Sequence, residues 1–413
     1  MNKLGTDILI VGGGPAGMSA GVAASSNHDA KVTVVDDNPK LGGQIWRAEL
    51  GKIKSEDCRA LLALLDRDRI TLINNASVFS ASTGSVLAET ALGRTEIEYK
   101  SLIIATGARE RFLPFPGWTL PNVFGAAGLQ ALVKGGLDVR DKRIVVAGTG
   151  PLLLVVAEYL GSKGADIAAI CEQTSNRRYD RFALGLWRKP SKIAQGISLR
   201  GKLRRIPYFK NSWVSAARGT SDLQSITIER FGTTVQIECD MLACGYHLVP
   251  NTELAQVAGC DIVDGYVAVD GYQRTSVPGI YCAGEPTGIG GVDASLVEGK
   301  IAGYAATGQF AEADELLQKK KKTASFTDAL DRAFALRDEL KTLAVNSTIV
   351  CRCEDVQYGK LREYEDFRTA KLQTRCGMGS CQGRVCGAAV EFLFGWKDRS
   401  VRPPIFPVKM ENL

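Results

Sequence analysis

The chain has 413 residues, too many for one hydrophobic core, so two or three domains are expected. Its formal charge of +6 is mild for that length and gives no reason to expect a nucleic-acid partner. Histidine occurs only as His28 and His247, which excludes most histidine-based catalytic and zinc schemes. No apolar run approaches the roughly 18 to 20 residues that cross a bilayer. Residues 1–7 show no charged n-region, no long apolar stretch and no small-residue cleavage site, so a cytoplasmic protein is expected.

In chain order, Asp7-Ile-Leu-Ile-Val11 reads as an apolar strand, followed by Gly12-Gly-Gly14-Pro15-Ala16-Gly17 and a small-residue helix to about Ala24. This is G-x-G-x-x-G in the strand-turn-helix setting that gives it meaning. Gly12 permits the tight turn, Gly14 lets backbone approach a pyrophosphate, and Gly17 lets helix pack on strand. The helix N-terminus offers N–H groups and dipole to the anion. A second strand, Lys31 to Val35, ends at Asp36, with Asp37 beside it, where a carboxylate can accept ribose hydroxyls. The fingerprint alone leaves FAD and NAD undecided.

Three later segments favour FAD. Leu41-Gly-Gly43-Gln44-Ile-Trp-Arg47 resembles the Gly-Gly-Gln element that two-dinucleotide flavoproteins lay along the flavin. Leu102 to Gly107 is an apolar strand ending in the Ala105-Thr106-Gly107 turn of the same superfamily. Thr275 to Glu285 looks like its final FAD motif, with Glu285 where aspartate is more usual. Together these place the expected FAD contacts at Gly12, Gly14, Pro15, Ala16, Gly17, Asp36, Asp37, Gly43, Gln44, Val78, Ala105, Thr106, Gly107, Gly284 and Glu285.

A second strand-turn-helix unit runs from Arg143 through Gly148-Thr-Gly150 to Leu153, where the superfamily docks NAD or NADP. Leu153 replaces the third glycine and is expected to displace the helix. Glu172 closes the next strand, so an adenine nucleotide, a vestigial site and true NAD(P)H use all stay open. Residues 177–210 are rich in Arg and Lys, with Phe182, Trp187, Tyr208 and Phe209 interleaved. Basic residues among aromatics can mark nucleic acid, but long cationic stems also cover apolar surface, and a subunit interface or a cover over the second site is the stronger reading. The Lys319 to Lys322 run reads as part of a helical linker.

Five of the eleven cysteines gather in Cys351-Arg-Cys353, Cys376-Gly-Met-Gly-Ser-Cys381 and Cys386. Thiolates this close in a reducing compartment point to metal rather than disulfides, and a histidine-free set suits iron and sulfide. A [2Fe-2S] cluster is expected on Cys351, Cys353, Cys376 and Cys381. Cys386 is a reserve ligand, five residues into a helix starting near Gln382. Zinc or free buried thiols are the alternatives.

Cys351-Arg-Cys353-Glu-Asp-Val, Thr374-Arg-Cys376-Gly-Met-Gly-Ser-Cys381-Gln-Gly-Arg384-Val-Cys386, Gly43-Gln44-Ile-Trp and Gly148-Thr-Gly-Pro-Leu-Leu-Leu154 together resemble the alpha subunits of the opine oxidase family. That family includes the B subunit of hydrogen cyanide synthase and the alpha subunits of dye-linked proline and hydroxyproline dehydrogenases. The resemblance covers nearly the whole chain and implies independence from NAD(P). It also implies an FAD-containing beta subunit resembling amino-acid oxidases, a possible further small subunit, and a quinone or other electron acceptor, through which the chain could associate with the inner membrane. The reaction implied is oxidation of a C–N bond in an opine such as octopine or nopaline, with glycine, proline or hydroxyproline as alternatives. An NAD(P)H-dependent flavin reductase and a non-catalytic electron-transfer subunit are the rival classes.

The expected architecture is α/β. It has an FAD domain from residues 1–125 and 241–310, a second dinucleotide-binding-like domain from 126–240, a helical linker over 311–346 and a small helical [2Fe-2S] domain of bacterioferritin-associated ferredoxin type over 347–413.

Overall fold

The computed structural model describes residues 2–46, 55–65, 69–185, 190–397 and 401–413. Arg47 and Trp187, named above, lie outside them. The chain forms two compact units, one of Met1–Arg109, Pro250–Thr327 and Ser400–Leu413, the other of Glu110–Val249 and Asp328–Arg399.

The first unit opens with β1 (Asn2–Val11), α1 (Pro15–Ser25) and β2 (Val32–Val35). β1 and β2 run parallel, from Ile8 opposite Val32 to Val11 opposite Val35. Ile8 to Val11 are buried without alternation, as expected of a strand covered on both faces. β3 (Ile70–Ile73) lies beside β2, while β4 (Ser77–Ser82), β5 (Ser85–Thr90) and β6 (Gly93–Ile104) form an antiparallel meander. The sheet order is β3-β2-β1-β6-β5-β4. β1 begins earlier than its apolar run because Asn2 to Thr6 pair with Thr95 to Tyr99 of β6. Backbone pairing extends the strand where side-chain pattern gives no signal.

The second unit contains β7 (Val123–Gly125), α2 (Ala126–Lys134), β8 (Arg143–Gly148), α3 (Leu152–Ser162) and β9 (Asp166–Glu172). The basic segment folds as α4 (Asn176–Gly185) and α5 (Pro190–Lys202) and leads to β10 (Tyr208–Lys210). β11 (Ser212–Arg218), β12 (Ser225–Arg230) and β13 (Thr233–Glu238) make a separate antiparallel sheet. With β14 (Met241–Gly245), the main sheet is parallel and ordered β10-β9-β8-β14-β7. Ile144, Val145, Val146 and Ala147 are fully buried at its centre.

Back in the first unit, β15 (Ile280–Cys282) pairs with the C-terminal half of β6, and α6 (Gly291–Ala306) packs on α1. The approach is close. A Cβ on Gly299 would sit 2.2 Å from the Ala16 carbonyl oxygen, and one on Gly303 2.4 Å from that of Ala20. The following helix, α7 (Phe310–Phe334), contributes its residues to Thr327 to the first unit and its end to the second.

The cysteine-rich region contains β16 (Ile349–Cys351), β17 (Val356–Gln357), α8 (Phe367–Thr374) and α9 (Cys386–Phe394) around Val350, Leu361, Ala370, Ala389 and Val390. It is not wholly helical, because Ile349 and Cys351 pair with Gln357 and Val356 in a two-stranded hairpin. Its last helix starts at Cys386, not near Gln382. Gln382 and Gly383 have φ of 50° and 78°, values a right-handed helix cannot accommodate. Residues 401–413 belong to the first unit, where Ile405 N–H donates to Phe79 O at 2.8 Å and Asn412 Nδ2 to Glu89 at 2.8 Å.

Candidate flavin and cysteine sites

At the C-terminal end of β1, Gly12 turns the chain at φ 110°, and a Cβ there would lie 2.2 Å from the Ala105 carbonyl oxygen. Gly17 packs closer, since its Cβ would meet Gly12 O at 1.7 Å. Gly14 is the N-cap of α1 and Pro15 opens the helix, a position where a missing N–H costs nothing. Asp36 is buried. One of its oxygens accepts Gly13 N–H, and the other accepts Asn38 N at 2.7 Å and Nδ2 at 2.8 Å. Asp37 is exposed and accepts a second bond from Asn38.

Gly43 and Gln44 lie in a helical turn, Gly43–Trp46, directly on the glycine loop. Gly42 N–H donates to Gly13 O at 2.7 Å, and a Cβ on Gly43 would come within 3.0 Å of Gly14 Cα. Trp46 anchors the turn in the core while Gln44 is exposed. The Ala105-Thr106-Gly107 turn is fastened by Asn251, whose Nδ2 donates to Thr106 O at 2.9 Å and whose carbonyl accepts the Thr106 hydroxyl at 2.6 Å. Arg109 donates to Asn251 Oδ1 at 2.7 Å and pairs with Glu253 at 2.9 Å. Sequence reasoning missed Asn251, which stands in no motif. Val78 has its side chain among Val86, Ala88 and Ile97, so only its backbone can serve a ligand.

Gly284, at φ 82°, would bring a Cβ within 2.8 Å of Ala16 Cβ, so the last motif closes onto the start of α1. Glu285 accepts Gly291 N–H at 2.9 Å, at the start of α6. Glu298 also reaches this turn. Its Oε2 accepts Gly284 N–H and the Thr287 hydroxyl, both at 2.9 Å, and burial raises its pKa above the ordinary carboxylate value. No local motif marks Glu298, which shares the stretch Ala294 to Gly303 with Lys300.

In the second unit, Gly148 and Gly150 turn at φ 139° and 90°. Leu153 does occupy the helix–sheet contact, fully buried. Gly245 stands opposite, where a Cβ would lie at an ordinary contact distance of 3.4 Å from Leu153 Cδ2. Glu172, also fully buried, accepts Gly150 N–H at 2.7 Å and Thr174 N–H at 2.8 Å. Burial raises its pKa. The Gly150 amide, which such a turn would offer to phosphate, is thereby taken. The end of α7 covers the turn. The Phe334 carbonyl accepts from His247 Nε2 at 2.7 Å and lies 3.1 Å from the Thr149 hydroxyl, and its ring packs edge-on against Phe182 at 5.1 Å.

The cysteines converge. The sulfurs of Cys351, Cys376 and Cys386 are buried and lie within 4.8 Å of one another. Cys381 hydrogen-bonds with Cys386 and Cys353, and Cys353, the exposed member, also accepts from the Ser380 hydroxyl at 3.7 Å. Hydrogen bonds from Cys376 and Cys386 hold the Cys351 thiol far below its usual range, and Cys386 brings Cys381 down to about 5. The donors move the other way, Cys376 up to about 12 through Cys351, and Cys386 upward through Cys351, Cys376 and Cys381. Such an array favours negative charge at two sulfurs and suits a bound cation. Cys386 thus lies among the buried sulfurs beside Cys351 and Cys376. A Cβ on Gly379 would come within 2.3 Å of Cys353 Cβ, so that glycine is what lets the loop close.

These features define a class. The chain belongs to the pyridine nucleotide-disulphide oxidoreductase family, whose profile matches residues 6–302, and the family implies FAD. Within it, the chain is 31% identical over 92% of its length to hydrogen cyanide synthase subunit HcnB of Pseudomonas protegens, of which it covers 89%. It is 31% identical over 98% of its length to the A subunit of opine oxidase from Rhizobium meliloti, covering 87%. The resemblance read from the cysteine and glycine motifs is thus borne out, and both relatives are named as subunits. Among solved structures, L-proline dehydrogenase from P. horikoshii shares the fold with a TM-score of 0.71 at 20% identity, over 100% of this chain and 80% of that one. Thioredoxin reductase from T. acidophilum matches 74% of this chain with a TM-score of 0.56. Among the described residues no helix is long and apolar enough to cross a membrane.

Proposed function

We propose that this chain is the FAD- and [2Fe-2S]-bearing subunit of a multi-subunit dehydrogenase acting on the C–N bond of an opine such as octopine or nopaline. The observation that carries the reading is that flavoprotein glycine turns and a cysteine group around Cys351, Cys376 and Cys386 occur in one chain that is similar along nearly its whole length to the A subunit of opine oxidase.

The residues fit both groups. Gly12 and Gly17 let the turn and α1 pack where any Cβ would collide with the Ala105 and Gly12 carbonyls, so that Gly14 and the α1 N-terminus would receive a pyrophosphate, and Asp36 would offer a carboxylate to ribose. Four of Cys351, Cys353, Cys376, Cys381 and Cys386 would ligate iron, with Cys386 and Cys351 among them. Bound FAD accepts two electrons and the cluster carries one at a time. The chain's own contribution is to hold these groups. Substrate oxidation therefore falls to an FAD-containing partner resembling amino-acid oxidases, and electrons leave to a quinone or another carrier.

Glu172 and Phe334 at the second glycine turn support independence from NAD(P)H. The similarity to HcnB favours glycine as a second candidate substrate. The test is anaerobic dye reduction by the chain purified with its companion subunit, challenged with octopine, nopaline, glycine, proline, hydroxyproline and NAD(P)H. Reduction by one amino-acid-type substrate only with the companion present supports the reading. Reduction by NAD(P)H with the chain alone overturns it.

A further inference from the structure

Behind the Gly284–Thr287 turn lie two charged groups that no motif covers. Glu298 approaches from α6, one residue before the glycine that packs against Ala16, and takes both the Gly284 N–H and the Thr287 hydroxyl on one oxygen. Lys320 approaches from α7. Of the run Lys319 to Lys322 it alone is turned inward, its three neighbours being exposed. Its Nζ donates to the carbonyls of Asp270 at 2.9 Å and Gly271 at 3.2 Å and to Gln273 Oε1. Gln273 is fully buried, donates from Nε2 to Cys282 O at 3.0 Å, and also hydrogen-bonds with Glu298. Lys320, Gln273, Glu298 and the turn thus form one connected series within the first unit.

Withdrawing an ammonium and a carboxylate from water is costly, and each repays that cost only in the presence of the other. An ordinary helix contact would be made by a leucine. The turn these groups hold is the last element of the flavin cradle, and its Gly284 N–H is aligned by the carboxylate. We propose that Glu298 is a positioning residue of the flavin site and Lys320 its counter-charge, so that a lysine of α7 keeps an anionic carboxylate behind the turn and lowers the flavin's reduction potential. This rests on the FAD reading above. The titratable groups facing Glu298 are Lys320 from α7 and the Cys282 thiol of β15, and Lys320 in turn faces Asp270. Burial raises Glu298 and lowers Lys320, so each disfavours its charged form except through the other.

The experiment is a spectroelectrochemical titration of the full-length, FAD-loaded chain and its Glu298→Gln and Lys320→Met variants across the neutral pH range, with FAD affinity measured by reconstitution of apoprotein. Glu298→Gln should raise the midpoint potential by about 30 mV, a tenfold shift in the two-electron equilibrium. Lys320→Met should acquire a pH-dependent step in potential that the double variant lacks. Should Glu298→Gln retain flavin at wild-type potential, or Lys320→Met follow the wild-type pH dependence, the inference is overturned. If Glu298→Gln does not fold, the Lys320→Met titration decides by itself. A wild-type chain that binds no FAD would overturn the flavin reading, and this inference with it, and is told apart by the missing flavin spectrum.

Discussion

Gly17 has the least room of the glycines in the flavin cradle. With a Cβ 1.7 Å from Gly12 O, Gly17→Ala must move either α1 or the loop, and both present groups to the cofactor. FAD affinity should fall at least about tenfold, about 1.4 kcal/mol, while the second unit keeps its stability. Flavin absorbance of the purified protein and a reconstitution titration check this. Among the thiols, Cys386→Ser should abolish iron binding, because its sulfur sits against three others, those of Cys351, Cys376 and Cys381. Iron and acid-labile sulfide assays on the five single variants read the result, and full iron in Cys386→Ser would return that residue to the reserve role that its spacing alone gives it.

The residue scale also shows what sequence makes legible. Gly12, Gly14, Gly17 and Asp36 could be read because one local strand-turn-helix geometry demands them at fixed offsets. Asn251 and Glu298 could not. Each serves its turn from far along the chain, so only tertiary structure brings them there. Leu153 was read as a clash since only one side of the contact is visible locally, and the side it meets includes Gly245, 92 positions later. The start of α9 was misplaced because Gln382 gives no compositional sign of its left-handed backbone.

At the scale of elements, the end of α7 is held over the second glycine turn by His247. Burial is the main cause that lowers the His247 pKa below 6.5. A folded-state value below the unfolded one means that the group's stabilising contribution is present above the unfolded pKa and is lost as pH falls through the folded one. The second unit should therefore lose urea resistance on acidification below about pH 6.5. His247→Asn, which tolerates the φ of 68°, should flatten that loss. Urea midpoints of both proteins over this range test it, and equal slopes would remove His247 from the account. The elements that sequence reading identified best, β1, α1 and β8, are those with unbroken apolar runs and glycine turns. The β16–β17 hairpin has strands of three and two residues, too short to carry a periodic pattern.

For the whole molecule, the chain path matters as much as the sites. It leaves the first unit after Thr327, builds the cysteine-rich region within the second, and comes back with residues 401–413. There Ile405 is buried with the β4–β6 core, Asn412 accepts Arg94 N–H at 2.9 Å, and Arg94 also donates to the Leu413 carbonyl. Deleting residues 401–413 should lower the melting temperature of the flavin-bound protein by several degrees, roughly the effect of 1 to 2 kcal/mol, although no cradle or cysteine residue is removed. Calorimetry of the shortened chain provides the check, and an unchanged transition would show the segment to be dispensable.

That return has a further consequence. The cysteine-rich region is moored fore and aft rather than trailing from one end, so a single cut in either connection leaves it attached. A segment held in this manner samples a far smaller volume than one on a single leash, because joining both ends of a loop removes most of its conformational freedom. The path of the backbone alone thus limits the excursions open to the cysteine group.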